Sequence, residues 1–244
     1  MKRCRKRRFW AAAALLAAAG LLWYFGLLVP NAPSRRRYPV RGVDVSAYQG
    51  SIDWELLAGQ GIRFAFIKAT EGSSFADERF AENYPAARAA GLAVGGYHFF
   101  SYDSPAETQA SHFIAAVPRD EDALPPVIDI EFYGGYYQAP ADPEQVREEL
   151  GLLIDWLTEQ YGRPPILYAT RRAYSLYLAG QFEGCPVWIR EVYLTPHLPD
   201  GRAPTFWQYS DRYRLPGYEG EETRIDMNVF CGSEEEFLAF WSGG

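Results

Sequence analysis

Histidine is scarce in this chain of 244 residues: His98, His112 and His197 are the whole supply. No two of them share a His-x-x-x-His spacing, so a zinc-hydrolase ligand set is missing and no metal is expected. Cysteine is equally rare. Cys4 lies in a basic N-terminal stretch, which leaves Cys185 and Cys231 as one disulfide or as two separate buried thiols, a choice their spacing does not decide. No Gly-x-Gly-x-x-Gly follows the first strand-like run, so a dinucleotide-binding doubly wound sheet has no sequence basis, and no cofactor is expected. Internal repeats and low-complexity tracts are also lacking.

Basic residues run out early. Nine of the 24 Lys and Arg precede Tyr38 while all 31 Asp and Glu follow it, so the chain from Tyr38 onward carries a formal net charge of −16. Such a field repels nucleic acid, which is excluded as a partner. Apolar residues, by contrast, make up 48% of the chain and aromatics 16%, which excludes disorder and supplies either a well-filled core or surfaces for stacking.

The N-terminus is separate in kind. Residues 1–8 carry six positive charges and read as a cytoplasmic tail, and the uncharged run Phe9–Val29 that follows is long enough to span a bilayer as a signal anchor. A cleaved signal peptide, giving a secreted protein, is the competing reading, although its apolar region should be shorter. Residues 30–38, with two prolines and three arginines, read as a linker. Residues 39–244 then form one domain on the outer side of the membrane.

Within that domain short β-rich runs alternate with helical stretches. Arg41–Val45, Phe64–Lys68, Ala93–Phe99, Pro126–Glu131 and Pro165–Tyr168 are each followed by a helical segment, and together they predict five βα units. Phe64-Ala65-Phe66-Ile67 and Pro126-Val127-Ile128 are near-continuous apolar runs, as expected of parallel strands covered on both faces. Val187–Arg190, Thr205–Ser210 and Asp226–Phe230 lack long helices between them, so the pattern predicts an eight-stranded β/α barrel with an irregular last third. Ser233 and Glu236 read as the cap of a final helix.

In a β/α barrel, chemistry gathers at the C-terminal ends of the strands. Asp44 closes the first predicted strand, Asp129 and Glu131 close the fourth, and Asp226 opens the last. An isolated acid after a strand is commonly a helix cap, and that reading suits Asp44 taken alone. Val127-Ile128-Asp129-Ile130-Glu131 is different, because alternation turns both acids to one face with Cα atoms about 6.6 Å apart. A structural site avoids desolvating two like charges, whereas a site that needs one carboxyl protonated near neutral pH tolerates it.

The motifs in order carry a resemblance. Gly42-Val43-Asp44-Val45-Ser46-Ala47-Tyr48-Gln49-Gly50, Ile52-Asp53-Trp54 and Phe64 through Gly72 resemble the opening of family 25 glycoside hydrolases, the muramidase lysozymes. Tyr97-His98-Phe99, Asp129-Ile130-Glu131, Trp207-Gln208-Tyr209-Ser210 and Asp226-Met227-Asn228 match the later motifs in sequence. The resemblance covers about residues 41 to 240 and implies a (βα)5β3 barrel that cleaves the β-1,4 bond between N-acetylmuramic acid and N-acetylglucosamine in peptidoglycan. It further implies Glu131 as general acid, Asp129 as the group that steadies the substrate's 2-acetamido arm, and Asp44 and Asp226 as their supports. Tyr97, Tyr168, Trp188 and Trp207 are candidates for sugar-binding walls, with buried core as the other reading of each. Lys68 and Glu71 are either an ion pair or substrate contacts, and Gln49 and Gln208 are candidate hydrogen-bond donors. The sequence departs from the pattern after Trp188, where Ile189-Arg190-Glu191 replaces the usual small residue. A chitinase-type barrel would have another acid at Val127, and a catalytically inactive glycan-binding anchor would be expected to lose some of the four acids, which are all present. No separate wall-binding module is visible.

Overall fold

The computed structural model describes residues 2–26, 28–29 and 31–243, so Met1, Leu27, Pro30 and Gly244 of the expected tail, span, linker and domain lie outside the described residues. Eight strands close on themselves: β1 (Arg41–Val45), β2 (Ile62–Glu71), β3 (Ala93–Phe99), β4 (Val127–Ile130), β5 (Ile166–Thr170), β6 (Val187–Arg190), β7 (Phe206–Tyr213) and β8 (Ile225–Phe230). Neighbours from β1 to β7 are parallel, and β8 closes the ring antiparallel to both β7 and β1. The expected (βα)5β3 barrel is therefore observed, its irregular third consisting of β6 to β8 joined without crossover helices.

A helix, α1 (Lys2–Tyr24), precedes the barrel. The five crossovers follow as α2 (Trp54–Gly59), α3 (Phe80–Ala89), α4 (Ala106–Ala116), α5 (Pro143–Tyr161) and α6 (Arg171–Ala173), which runs on into a π-turn over Tyr174–Leu178. The last helix is α7 (Glu234–Ser242). Local chemistry fixes the ends. Asp142 caps α5 through the amides of Glu144 and Gln145, Pro143 occupies its first turn, and Gly162 ends it with φ 73°. At α7, the Ser233 and Glu236 side chains bond each other's backbone amides in the expected capping box.

Strand alternation sorts the side chains into two layers. Val43, Val45, Ala65, Ile67, Val94, Ile128, Ile130, Leu167, Ala169 and Ile189 face outward and pack beneath the helices. Phe64, Phe66, Val127, Ile166, Trp188, Phe206 and Phe230 face inward and fill the lumen, with Phe237 of α7 stoppering its lower end against Phe64 and Phe230. Polar residues occupy the inward positions only toward the upper end. The barrel is thus a packed cylinder with a polar mouth.

The N-terminal expectation is corrected. The helix ends at Tyr24, and the chain turns at Gly26, whose φ is 71°. Its uncharged part, Phe9–Tyr24, rises about 24 Å at 1.5 Å per residue, short of the roughly 30 Å hydrocarbon core of a bilayer. No helix among the described residues is long and apolar enough to cross a membrane. The end of α1 instead rests on the barrel: Arg212 lies 4.3 Å over the Trp23 ring, and Arg224 Nη2 donates to the Tyr24 carbonyl at 3.2 Å. Asn31, in the expected linker, donates to the carbonyls of Glu191 and Tyr209. Cys185 and Cys231 are both free thiols, and burial raises their pKa values to about 11 and about 12.

One lumen position has no spare room. A Cβ on Gly42 would lie 2.3 Å from Cε2 of the fully buried Phe64 ring, which is wedged among Phe66, Phe206 and Phe237. Gly42→Ala is expected to destabilise the fold by about 1–3 kcal/mol through overpacking. Thermal denaturation checks this, and pairing it with Phe64→Leu should recover part of the loss.

Candidate active site

The mouth is built by strand register. Asp44 on β1 is paired with Asp226 on β8, Asn228 on β8 with Gln208 on β7, and Gln208 with Arg190 on β6. On the other side, Asp129 on β4 is paired with Tyr168 on β5 and Phe99 on β3, and Tyr97 on β3 with Lys68 on β2. Chain-distant residues therefore meet at one level, and the four sequence-predicted acids meet with them. Asp44 and Asp226 stand as directly opposed like charges, an arrangement that costs stability unless something lies between them.

Gln208 does. It is fully buried, and its Nε2 donates to Asp44 Oδ1 at 2.9 Å, to Asp44 Oδ2 at 3.1 Å and to Asp226 Oδ2 at 3.1 Å. Asn228 Nδ2 adds a 2.6 Å bond to Asp44 Oδ1, while its Oδ1 accepts from the Trp188 indole at 2.8 Å. Tyr168 Oη sits 3.0 Å from Gln208 Oε1 and 3.0 Å from Glu131 Oε1, tying the two sides of the mouth together.

Asp129 is held differently. It is 9% exposed, and its Oδ1 is buried with no hydrogen-bond partner. A bare carboxylate oxygen at that depth is costly unless a ligand meets it. Burial raises the Asp129 carboxyl well above its ordinary value, the Glu131 charge raises it further, and only Lys68 opposes them substantially. Burial also lifts Asp226 well above its ordinary value, aided by Asp44 and Asp211 and opposed by Arg190. Asp44 rises to about 6 through burial, against the hydrogen bonds from Asn228 and Gln208. Glu131 is raised by burial and is drawn back by a hydrogen bond when Tyr168 donates it, and by Arg190.

The cations are already committed. Lys68 Nζ pairs with Glu71 Oε2 at 2.7 Å and lies over the Phe75 and Phe99 rings, so the ion-pair reading of Lys68 and Glu71 describes their geometry. Arg190 pairs with Asp211 at 2.5 Å. Desolvation pushes all four carboxyl groups toward the neutral form, with two shared cations opposing it, and a carboxyl biased toward keeping its proton is suited to general-acid chemistry.

Several predicted wall residues stand elsewhere. Trp207 points out of the lumen into the helical layer at 2% exposure, donating its indole to the Glu191 carbonyl and meeting Tyr38 edge-on. Trp188 lies inside but below the acids, its ring 4.5 Å from Phe66 and 4.4 Å from Tyr168, and is a floor rather than a wall. Gln49 spends its amide on Ser46 N and the Arg224 carbonyl. Gln208 and Tyr168 hold carboxyl groups. Tyr97 alone of the four aromatic candidates lines the open cleft, beside Asp44, Tyr48, Arg224 and Asp226.

Other aromatics form the rim. Tyr48 and Tyr137 are largely exposed on loops after β1 and β4, and Tyr133 and Tyr136 on the same β4 loop are anchored by Asp103 at 2.9 and 2.6 Å. Their signal was the run Phe132-Tyr133-Gly134-Gly135-Tyr136-Tyr137 directly after the acid pair. Arg190 was the other omission, present in the sequence only as a departure from a motif.

Asp129 yields a pH-dependent prediction. Because its folded pKa is raised, its neutral form stabilises the fold below the unfolded value of 3.8, and that stability is lost as pH rises through the folded pKa. Asp129→Asn is therefore expected to melt higher than the wild type at neutral and alkaline pH, by about 2–4 °C per 1 kcal/mol relieved. The gain should vanish toward pH 3. Differential scanning calorimetry across that range checks it.

The comparisons with known proteins agree with this geometry. The model for glycosyl hydrolases family 25 matches residues 43–218. Lysozyme M1 of Streptomyces globisporus is 33% identical over 211 residues, covering 82% of this chain and 70% of its own. The N,O-diacetylmuramidase of Arthroderma benhamiae is 30% identical over 228 residues, covering 84% and 88%. A solved family 25 glycosyl hydrolase from Bacillus anthracis is 50% identical with a TM-score of 0.81, covering 85% of this chain and 95% of that one. A barrel of this topology, the acid-lined mouth and the matched family model lead to one conclusion: the chain belongs to family 25 of the glycosyl hydrolases and is a glycoside hydrolase.

Proposed function

We propose that this glycoside hydrolase is a muramidase that cuts the β-1,4 bond between N-acetylmuramic acid and N-acetylglucosamine in peptidoglycan. The observation that carries the reading is the pair at the end of β4: Glu131 just past the strand and partly exposed, with a raised pKa, and Asp129 deeper with an unmatched oxygen. The names of the Streptomyces and Arthroderma relatives, a lysozyme and a diacetylmuramidase, support the substrate class.

In the proposed step, Glu131 gives its proton to the glycosidic oxygen as the bond to C1 breaks. The carbonyl oxygen of the substrate's own 2-acetamido group bonds to C1, and the bare Asp129 oxygen accepts the N–H of that group as positive charge develops on it. Water then attacks C1, breaking its bond to the acetamido oxygen, while Glu131 takes the water's proton, giving net retention. Asp44 and Asp226 hold the acid end through Gln208 and Tyr168, and Tyr97 with the rim tyrosines offers stacking faces for sugar rings. Because the polymer is extracytoplasmic, the barrel is assigned to the outer side of the cytoplasmic membrane. Its acidic surface supplies no long-range attraction to an anionic wall, so recognition rests on contacts within the cleft.

An inactive glycan-binding barrel has no reason to keep four acids buried together at the expense of stability. Glu131→Gln keeps shape but removes the proton, and is expected to lower turnover about 10²–10⁴-fold with folding intact. Clearing of purified wall, circular dichroism and mass spectrometry of the released fragments test this together. The expected products have reducing-end muramic acid. Reducing-end glucosamine, or near-wild-type clearing by folded Glu131→Gln, would overturn the proposal.

A further inference from the structure

The hydroxyl of Tyr168 touches two oxygens with only one proton to give. It lies 3.0 Å from Glu131 Oε1 and 3.0 Å from Gln208 Oε1, and it can donate to just one of them. Which one is decided further along the network. The Trp188 indole is a donor only, so the Asn228 oxygen 2.8 Å away must accept, and the Asn228 NH2 is thereby turned to Asp44 Oδ1. The end of Gln208 that faces two Asp44 oxygens and one Asp226 oxygen at 2.9 to 3.1 Å is likewise its NH2, because a carbonyl there would oppose three acceptors. Gln208 Oε1 therefore faces Tyr168, and being fully buried it has no water to turn to. Tyr168 satisfies it, and so presents a lone pair to Glu131.

We infer that Gln208 is a positioning residue that keeps Glu131 in its protonated form at rest, by claiming the Tyr168 proton so that Glu131 must supply the proton of the bond between them. The donor sequence runs from Glu131 to Tyr168 to Gln208, and Gln208 in turn donates to Asp44 and Asp226. Ionising Glu131 reverses the Tyr168 hydroxyl and strands Gln208 Oε1 without a donor, at the cost of a buried unsatisfied acceptor. The titratable and charged groups of the mouth come from every side: Asp44 from β1, Asp129 from β4, Arg190 from β6 and Asp226 from β8 act on Glu131 itself, while Lys68 from β2, Tyr97 from β3 and Asp211 from β7 face the neighbouring acids. Arg190 works against the proton, and the oriented amide offsets it.

The inference rests on the general-acid role of Glu131 but is tested apart from it. Infrared difference spectra between wild type and Glu131→Gln, recorded against pH without substrate, read the Glu131 carboxyl directly. The neutral acid band is expected to be present in the wild type at pH 7, and an ionised Glu131 there would overturn the inference even if no other variant folds. Gln208→Met keeps length and bulk but frees the Tyr168 proton to bond the carboxylate. Both the infrared titration and the alkaline limb of kcat/KM should move acidward by about one pH unit. In a Tyr168→Phe background the same substitution should move neither. No shift, an alkaline shift, or an equal shift without the tyrosine hydroxyl would each refute the relay. Loss of muramidase activity with the infrared pattern intact would instead count against the proposed reaction and leave the relay standing.

Discussion

Like charges buried at close quarters repel each other and miss their water, and at this barrel mouth four carboxyl groups are held under that constraint. Much of the surrounding structure answers to it. Two cations approach, but Lys68 is shared with Glu71 and Arg190 with Asp211, so neither neutralises the cluster. The separation of Asp44 from Asp226 falls to an uncharged amide, and the orientation of that amide depends on tyrosine, asparagine and indole groups with fixed donor roles. Neutral dipoles suit the task because they hold the acids without locking them as anions. A salt bridge at each acid would give a steadier fold and a site with no proton to deliver.

Most of the fold was legible because a barrel strand has two distinct faces. Alternation along Phe64-Ala65-Phe66-Ile67 or Val127-Ile128-Asp129 puts one set into the lumen and the other under helices, and the observed layers follow it. The helix expected after β5 became a single α turn and a π-turn, which the run Tyr174–Leu178 gives no local warning of. The N-terminal run misled for a related reason. Absence of charge is a property of composition, whereas crossing a membrane requires unbroken helix, and the chain turns at Gly26 before the run is finished.

At the site, the acids were readable and the tryptophans were not. Asp129 and Glu131 announce themselves by spacing, since two acids on one strand face are hard to explain structurally. An indole gives no such cue. Trp188 and Trp207 lie on neighbouring strands, yet one enters the lumen and the other the helical layer, and pairing register alone separates them. Arg190 escaped for the opposite reason: its meaning lies wholly in what β7 and β8 bring alongside it, and those residues are far away in sequence.

Gly42 and Phe64 lie side by side on paired strands, and each occupies volume that the other would otherwise fill. Neither position is free to drift alone. A larger residue on β1 demands a smaller one on β2, and a smaller one on β2 leaves a void beneath Asp44 unless β1 grows into it. Related barrels should therefore carry these two sites as a correlated pair, with their combined volume changing less than either residue does. The floor of the mouth would then keep its height while its composition turns over, and the acids above would keep their level.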